Sequence, residues 1–341
     1  MAPARRRRGG KRGITLAEVA RLSGVSEITV SRVLRNKGAI ADDTRKKVLL
    51  AVDQIGYVPN RVAGTLASAT SNLIGVVIPS LANIVFPDVL RGVHAALDAS
   101  GIQAVVGVTE YDLTTEERLV RSLLAWKPHA MLVVGLDHTE ATRRMLLGAG
   151  VRVVEMMDID STPIDIAVGM SHRNAGFDAG VHLLEHGYRR FGYVGHDWLR
   201  DRRARLRFDG LVAALRQAGL NFVDIALHDG PSSTMAGRQT LATLLARAPS
   251  IDVAVFSNDD MAVGGVFHCL AEDIAVKERL AIFGFNGLSI GAALPLPLST
   301  IRSHRFEIGK TAARMVLDNE GSRGEPTIVD IGYEIVRGAT A

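Results

Sequence analysis

The sequence predicts two parts, a small α-helical head and a larger α/β core of two lobes, and three observations lead to this fold class. Positive charge is concentrated near the start: residues 1–70 carry 14 lysines and arginines against 5 acidic residues, a net charge of +9, so the rest carries −5 of the total of +4. Two short amphipathic helical patterns, separated by one glycine, follow the basic run. From about residue 73, apolar strand-like runs alternate with helical segments.

The composition predicts a soluble protein with a well-packed core. Apolar residues make up 47% of the chain and charged residues 22%, which suits two or three folded domains. The single cysteine, Cys269, lies in an apolar stretch and has no internal disulfide partner, which favours a packed core thiol and a reducing, cytoplasmic setting. No apolar run reaches the roughly 18 residues of a membrane span, and the basic start has no apolar segment behind it. We therefore expect a cytoplasmic protein without a membrane partner.

The head divides into a basic arm, residues 1–12, and a helical headpiece, residues 13–58. The arm either binds a polyanion or merely improves solubility. In the headpiece, Thr15 and Glu18 form a Ser/Thr-x-x-Glu capping box that predicts a helix start, and Gly24 ends this first helix. Ser26 then caps a second helix, and a third runs from Asp42 or Asp43 to Gly56. This pattern is a helix-turn-helix.

One face of the second helix is predicted to read DNA. Its apolar side chains face inward and leave the opposite face free to enter a major groove. The outward side chains are Glu27, Ile28, Ser31 and Arg32. Arg32 is the best candidate for direct base reading, because its planar fork matches two acceptors of guanine. The short hydroxyls near helix starts, suited to phosphate contacts, are those of Thr15, Ser26 and Thr29.

Residues 59–72 are predicted to be a hinge, and here the chain resembles a known family. The stretches EVARLSGVSEITVSRVLR and YVPNRVAGTLAS closely resemble the DNA-binding head and hinge of LacI-type bacterial transcription regulators, and the resemblance continues through most of the chain. Gly64 would make an isolated helix here weak. The resemblance implies that the hinge helix orders on the operator and inserts Leu66 between central base pairs. The neighbouring contacts that it implies are Asn60, Arg61 and Ala63.

The core, residues 73–341, shows two sets of strand and helix patterns, such as IGVVIPS before FPDVLRGVHAALDASG and VAVFSNDD before MAVGGVFHCLAED. Such alternation is typical of parallel sheets covered by helices, with ligands bound beyond the carboxyl ends of the strands. The resemblance implies a periplasmic-binding-protein-like core of two Rossmann-like lobes, with crossovers near Met170, Ser303 and about Val329. Lobe 1 then spans about 73–170 and 303–328, and lobe 2 about 171–302 and 329–341.

Polar residues at the strand ends are the candidates for effector binding. SNDDMAVG resembles a family element in which the asparagine touches a sugar, which assigns this role to Asn258 with Asp259 beside it. Arg207 lies at the position of the family's effector-contacting arginine, and a guanidinium suits a carboxylate or phosphate. Asn286 stands where most relatives carry an aspartate, which counts against a neutral sugar. The further candidates, each of which could instead be a loop cap or surface residue, are Ser80, Asn83, Phe86 and Asp158.

Within the family, IGVVIPSLANIVFPDVLRGV, PIDIAVG and SNDDMAVGGVF look most similar to repressors of gluconate-utilisation genes. The resemblance therefore implies a sugar-acid effector, such as gluconate, a ketogluconate or a phosphogluconate, that lowers operator affinity. A neutral sugar or a corepressor remains the alternative. Because one headpiece reads only a half-site, we expect a homodimer on palindromic double-stranded operator DNA. No cofactor or metal is expected.

Enzyme and transport functions are the alternatives from other classes. The chain has no G-x-x-x-x-G-K-[ST] and no G-x-S-x-G motif. Histidines 172, 182, 186 and 196 are candidate metal or acid–base groups, but HLLEH lacks the metalloprotease pattern, and a surface helix is favoured for its two histidines. A sugar-binding transport protein would share the core fold but not the basic helical head. We therefore expect a regulator without catalytic residues.

Overall fold

The computed structural model describes residues 14–34, 38–58, 71–318 and 324–341. The chain divides into two compact units, residues 1–69 and 70–341, each of which is described by itself. The basic arm and the hinge candidates Asn60, Arg61, Ala63 and Leu66 lie outside the described residues.

The first unit is a bundle of three short helices: α1 (Leu16–Ser23), α2 (Glu27–Leu34) and α3 (Asp42–Ile55). Both predicted helix ends are confirmed, because Gly24 and Gly56 have positive φ angles of 70° and 66° that favour glycine. Val19, Val30 and Val48, one from each helix, are fully buried and form the centre of the small core. The apolar period of the sequence therefore determines which face of each helix is outside.

The first lobe of the second unit contains an all-parallel sheet of six strands in the order β11-β5-β4-β3-β1-β2. Its strands are β1 (Leu73–Ile78), β2 (Gln103–Val108), β3 (Ala130–Val134), β4 (Arg152–Met156), β5 (Ile166–Gly169) and β11 (Thr327–Asp330). Its helices are α4 (Val85–Leu97), α5 (Leu113–Ala125), α6 (Glu140–Gly148) and α12 (Arg305–Asp318). Apolar clusters lie on both faces of the sheet, as expected for parallel strands joined by helices.

The second lobe contains a six-stranded sheet in the order β12-β10-β9-β8-β6-β7. Its strands are β6 (Phe191–His196), β7 (Asp224–His228), β8 (Val253–Phe256), β9 (Ala281–Asn286), β10 (Ser299–Ser303) and β12 (Tyr333–Val336). Its helices are α7 (His172–Glu185), α8 (Arg202–Gln217), α9 (Thr234–Arg247), α10 (Asp259–Ala271) and α11 (Ser289–Ala292). Cys269 is fully buried in one of its two apolar clusters, which confirms the core thiol, and burial raises its pKa to about 11.

The chain passes between the lobes three times. It crosses between β5 and α7, again between β10 and α12, and finally between β11 and β12. The last crossing, expected at about Val329, lies at Ile331 and Gly332, because Val329 and Asp330 still pair with β5 in the first lobe. Only two residues, Ile331 and Gly332, separate β11 from β12, so the chain passes directly from the first sheet into the second. Strand β12 accordingly runs antiparallel to β10, the one exception to the parallel pattern among the described strands.

Among the described residues, no helix is both long and apolar enough to cross a membrane.

Candidate DNA-binding and effector sites

The start of α1 is held by the predicted capping box. The carboxylate of Glu18 accepts hydrogen bonds from the backbone amide of Thr15, at 2.7 Å, and from its hydroxyl, at 3.1 Å. These two bonds hold the pKa of Glu18 below its usual value. The hydroxyl of Thr15 is exposed and bonded only within its own turn, so its phosphate contact stays a prediction.

Helix α2 presents the outward face that the sequence predicts. Ser26 caps the helix by accepting a hydrogen bond from the amide of Thr29 at 3.2 Å, and the two hydroxyls lie 2.9 Å apart. Glu27 and Arg32 are exposed and Ser31 is half-buried. The exposed fraction of Ile28 is 68%, large for an apolar side chain on a helix with a fully buried Val30. The side chains predicted to contact bases therefore share one solvent-facing surface, available to a partner.

In the second unit, the carboxyl ends of both sheets meet at a cleft between the lobes. Several contacts join the lobes. Among them, Arg203 lies over the ring of Phe86, 5.5 Å from its centre, Arg202 pairs with Asp137 at 2.9 Å, and His172 bonds to the carbonyl of Met157 at 2.8 Å. The effector candidates follow the ends of β1, β4, β8 and β9, or lie on α8. The structure thus brings the predicted residues of both lobes to one region.

Arg207 lies at the floor of the cleft with 8% of its surface exposed. Its guanidinium is stacked 4.2 Å from the centre of the Phe285 ring. One terminal nitrogen contacts Nδ1 of His172 at 3.2 Å, and the other donates to the carbonyl of Ser257 at 2.9 Å. Its Nε has no hydrogen-bond partner among the described residues. Burial lowers the pKa of Arg207.

His172 connects Arg207 to the first lobe. It is 2% exposed, and burial together with the nearby charge of Arg207 holds its pKa well below the usual value, so the ring is neutral at pH 7. A neutral ring with Nε2 donating to the carbonyl of Met157 leaves Nδ1 as an acceptor for Arg207. The sequence analysis considered His172 only as a metal or acid–base candidate and missed this connecting position.

A cavity of about 20 Å³ lies beside Arg207 and is lined by Tyr193, Ser257 and Phe285. The hydroxyl of Tyr193 is, like Nε of Arg207, a buried group without a hydrogen-bond partner among the described residues. The volume and the two polar groups suit one water molecule.

Ser257, His196 and Asp201 form a buried polar row in the second lobe. Nδ1 of His196 lies 3.0 Å from the Ser257 hydroxyl, and its Nε2 lies 3.5 Å from Asp201. Burial alone would raise the pKa of Asp201, but the bond from His196 and the charges of Arg203 and Arg207 hold it well below its usual value. The row has the residue types of a hydrolytic triad. Ser257 is only 2% exposed, so its hydroxyl is closed to a substrate.

Asn258 and Asp259, adjacent in sequence, have different environments. Asn258 caps α10 by accepting a 3.4 Å hydrogen bond from the amide of Met261, and it is 3% exposed. Asp259 is fully buried and accepts bonds of 2.6 Å from the hydroxyl of Thr300 and the amide of Leu288. Burial raises the pKa of Asp259 to about 6. Both carboxylate oxygens of Asp259 hold neighbouring segments of the second lobe, and its effector contact stays a prediction.

Asn286, at the end of β9, has a backbone φ of 118°, a region that favours glycine. It is 8% exposed, and its carbonyl accepts a hydrogen bond from Arg305 at the start of α12. Arg305 also pairs with Asp88 of α4 at 3.0 Å. The predicted effector residue Asn286 thus lies beside an arginine that links β9 to the first lobe.

The first-lobe candidates are more enclosed than a binding role alone requires. Phe86 is 1% exposed and belongs to the apolar core. One face of its ring is covered by the guanidinium of Arg203. The amide of Asn83 is used twice, as acceptor from Val85 and as donor to the Tyr111 hydroxyl, both at 3.1 Å. Ser80 is 5% exposed and accepts a bond from Ala82. Ser80 and Asn83 hold the loop after β1 by these bonds, and Phe86 lies in the first turn of α4.

Asp158 is 3% exposed and accepts a 2.9 Å bond from the amide of Asp160. Burial raises its pKa, and the positive charge of Arg203 opposes this shift.

The two histidines near the end of α7 have different environments: His182 is buried and His186 is exposed. His182 is 8% exposed, and its ring lies 6.1 Å from that of Phe283, so the surface-helix interpretation is wrong for it. His186 follows the helix and bonds to the carbonyl of His182 at 2.7 Å. The ring of His182 therefore packs in the lobe, and the ring of His186 caps the end of the helix.

Comparison with known proteins agrees with this geometry. A profile described as "Bacterial regulatory proteins, lacI family" matches residues 15–60, and one described as "Periplasmic binding proteins and sugar binding domain of LacI family" matches residues 71–333. The chain belongs to the LacI family. It is a DNA-binding transcriptional repressor of that family and not an enzyme, since its relatives are named transcriptional regulators.

Two relatives and one solved structure illustrate the similarity. The chain is 39% identical over 325 residues to the HTH-type transcriptional regulator GntR of Pseudomonas aeruginosa, covering 94% of both chains. It is 32% identical to the regulator IdnR of Escherichia coli, covering 96% of this chain and 98% of the relative. The crystal structure of a LacI-family transcriptional regulator from Silicibacter pomeroyi has a TM-score of 0.92 at 41% identity, covering 96% of this chain and 99% of that one.

Within this LacI-family member, sequence analysis missed Arg203, His172 and Tyr111 as cleft residues. Arg203 and Arg207 are four positions apart in RARLR, a spacing that places both on one helix face. That spacing was the available signal for Arg203. Nothing local indicated His172 or Tyr111, whose contacts come from packing.

Proposed function

We propose that this repressor responds to a small sugar acid, such as gluconate or a close relative, bound in the cleft between the lobes. The observation that carries the proposal is Arg207, a cation buried at the cleft floor. No carboxylate of the described residues lies within ion-pair distance of it. Asp201, whose charge acts on Arg207 from farther away, is in contact with His196 and Arg203. A buried charge without an ionic partner is costly, and an anionic ligand would compensate it. The names of the relatives GntR and IdnR agree with an acid effector.

The proposed mechanism is derepression of a homodimer. The acid group draws Arg207 and the strand ends of the second lobe towards residues of the first lobe, and the bond from His172 to Met157 carries the movement across. The first lobes of the two protomers then shift, the hinge helices separate, and operator affinity falls. If the effector binds the induced state more tightly than the operator-binding state by about 1.4 kcal/mol, operator affinity falls tenfold. A difference of a few kcal/mol therefore suffices for derepression.

The test is calorimetric titration of the purified protein with gluconate, 2-ketogluconate, 6-phosphogluconate, glucose and galactose. Tight binding of one acid and weak binding of both neutral sugars is the expected result. Preference for glucose or galactose would overturn the acid effector and leave the repressor function intact. Operator affinity is then measured with and without the bound acid. A fall in affinity supports derepression, and a rise identifies the acid as a corepressor.

A further inference from the structure

A buried cluster of three ionisable side chains lies in the first lobe, apart from the residues of the proposed mechanism. His138, in the loop after β3, lies between Glu116 of α5 and Glu155 of β4: its Nδ1 is 2.7 Å from one carboxylate and its Nε2 is 3.3 Å from the other. The three side chains are 1%, 6% and 0% exposed, respectively. Burial opposes charge on His138, but the two carboxylates raise its pKa to about 9, so the ring is charged at pH 7. Removing one member would leave a buried charge uncompensated, so the cluster strongly favours one arrangement of the segments that carry it.

The cluster and its neighbours fix the loop that carries His138 against the end of β4. Nε2 of His138 and Oε1 of Glu155 have no hydrogen-bond partner elsewhere among the described residues, so each depends on the other. The other carboxylate oxygen of Glu155 accepts a bond from the amide of Ile164, in the loop before β5. Gly135, at the start of the His138 loop, donates its amide to the carbonyl of Met156 at 2.9 Å. Side-chain charges and a backbone bond therefore hold this loop at one position in the lobe.

Two contacts with the second lobe begin beside this cluster. Asp137 directly precedes His138 and pairs with Arg202 of α8 at 2.9 Å. The carbonyl of Met157, two residues after Glu155, accepts a bond from the start of α7. The Asp137–Arg202 pair is exposed, with 41% and 59% of the two side chains accessible, and exposed pairs are weak because holding two mobile side chains together costs entropy. The pair therefore depends on a backbone that already places Asp137 opposite Arg202.

We propose that His138 is a positioning residue for the contact between the lobes, which fixes the loop after β3 so that Asp137 faces Arg202. His138 acts through Asp137, because its own ring nitrogens face Glu116 and Glu155. The arrangement of the two lobes then depends on a group buried inside the first lobe. The inference concerns the contact between the lobes and is independent of which effector binds.

The test measures the distance between the lobes in the full-length protein without ligand. Cys269, the only cysteine, is fully buried, so nitroxide labels attach to cysteines introduced at one exposed position of each lobe, Ser122→Cys in α5 and Ala246→Cys in α9. Labelled protein is diluted with an excess of unlabelled protein, so that pulsed electron paramagnetic resonance reports the distance within one chain. We expect His138→Gln to broaden the distance distribution and to shift it to longer distances. His94→Gln, the same change at an exposed position of α4, is the matched control and should leave the distribution unchanged.

Variants of the ion pair connect this shift to its proposed cause. Asp137→Asn should shift the distribution in the same direction as His138→Gln. The double variant should shift it no further than the larger single shift, because two changes that remove one contact are not additive. An unchanged distribution in His138→Gln, with a shift in Asp137→Asn, would show that His138 only stabilises the first lobe and would overturn the inference. An unchanged distribution in Asp137→Asn would overturn it as well, because the pair would then not determine the lobe distance.

A variant of Glu116 keeps the outcome decisive if His138→Gln does not fold. Glu116→Gln removes one of the two carboxylates and leaves the ring and Glu155 in place, so we expect a smaller shift in the same direction. An unchanged distribution in this folded variant would contradict the positioning role. Urea unfolding of each variant, measured in parallel, separates a loss of stability from a change in lobe distance. Because no effector is present, the result does not depend on the sugar-acid function proposed above.

Discussion

The guanidinium of Arg207 and the imidazole of His172 are in hydrogen-bond contact at 3.2 Å, and the opposite ring nitrogen of His172 contacts the carbonyl of Met157 in the first lobe. A neutral imidazole makes both bonds at once, one as donor and one as acceptor. The pair therefore links the floor of the proposed effector site to the first crossover between the lobes.

Replacing His172 with phenylalanine keeps a ring of similar size but removes both hydrogen bonds. We expect the ratio of operator affinities without and with saturating gluconate to fall towards one, because Arg207 loses its connection to Met157. The core should also lose about 1–3 kcal/mol of stability, since a buried carbonyl is left unpaired. DNA-binding titrations with and without gluconate measure the first effect. His94→Phe, the same change at an exposed site on α4, should leave the ratio unchanged.

The exposed face of α2 makes a prediction about DNA reading. Replacing Arg32 with alanine should weaken binding to the specific operator by about 1–3 kcal/mol, because a bidentate contact to one base pair is lost. Binding to random DNA should change little. Measurement of both affinities at one salt concentration checks this, and an equal loss on both DNAs would show that Arg32 contacts only the backbone.

Helices α7 and α8 pack closely against each other, and this packing holds His172 near Arg207. The two helix backbones come close together at Gly176. A Cβ atom on Gly176 would lie 1.9 Å from the carbonyl oxygen of Arg207, so the helices would have to separate. We expect Gly176→Ala to lower the free energy of unfolding by about 1–3 kcal/mol, as other overpacked sites do, and to weaken gluconate binding. Urea unfolding and calorimetry measure the two effects.

Gly148→Ala is the matched control for this substitution. Gly148 ends α6, and a Cβ atom there would meet nothing within 4 Å. Alanine should therefore be neutral or stabilising by up to about 1 kcal/mol, because it restricts the unfolded chain. A similar destabilisation by both substitutions would contradict the packing argument.

His138 predicts a dependence of stability on pH. Its ring is enclosed between Glu116, at 2.7 Å, and Glu155, at 3.3 Å. Burial alone would lower the pKa of His138, but the two carboxylates raise it to about 9 from 6.5. The charged form is therefore favoured in the folded state, so its contribution is complete below pH 6.5 and is lost as the pH rises through about 9.

The magnitude of this contribution is about 3.5 kcal/mol at most, because one pKa unit corresponds to about 1.4 kcal/mol. Urea unfolding of the unaltered protein between pH 6 and 10 should show the loss. His138→Gln, which cannot become charged, should be less stable than the unaltered protein at pH 6. Its free energy of unfolding should change little across this pH range. If the unfolding free energy of the variant fell with pH as steeply as that of the unaltered protein, the pH dependence would come from another group.

Local features of the sequence determined the head and the class of the core. The capping box of Thr15 and Glu18 and the terminal glycines Gly24 and Gly56 act within four residues, so their structural effect could be predicted from neighbours alone. The alternation of strand and helix patterns likewise predicted two largely parallel sheets, and the strand ends indicated the candidate effector residues.

Tertiary structure alone decided which cleft groups are available to a ligand. Arg207 contacts partners 35 and 50 residues away in sequence, and Asp259 bonds to Leu288 and Thr300, so packing across the lobe determined that these side chains are engaged. A hydrogen bond requires two groups within about 3 Å, and for residues far apart in sequence only the folded chain brings them that close.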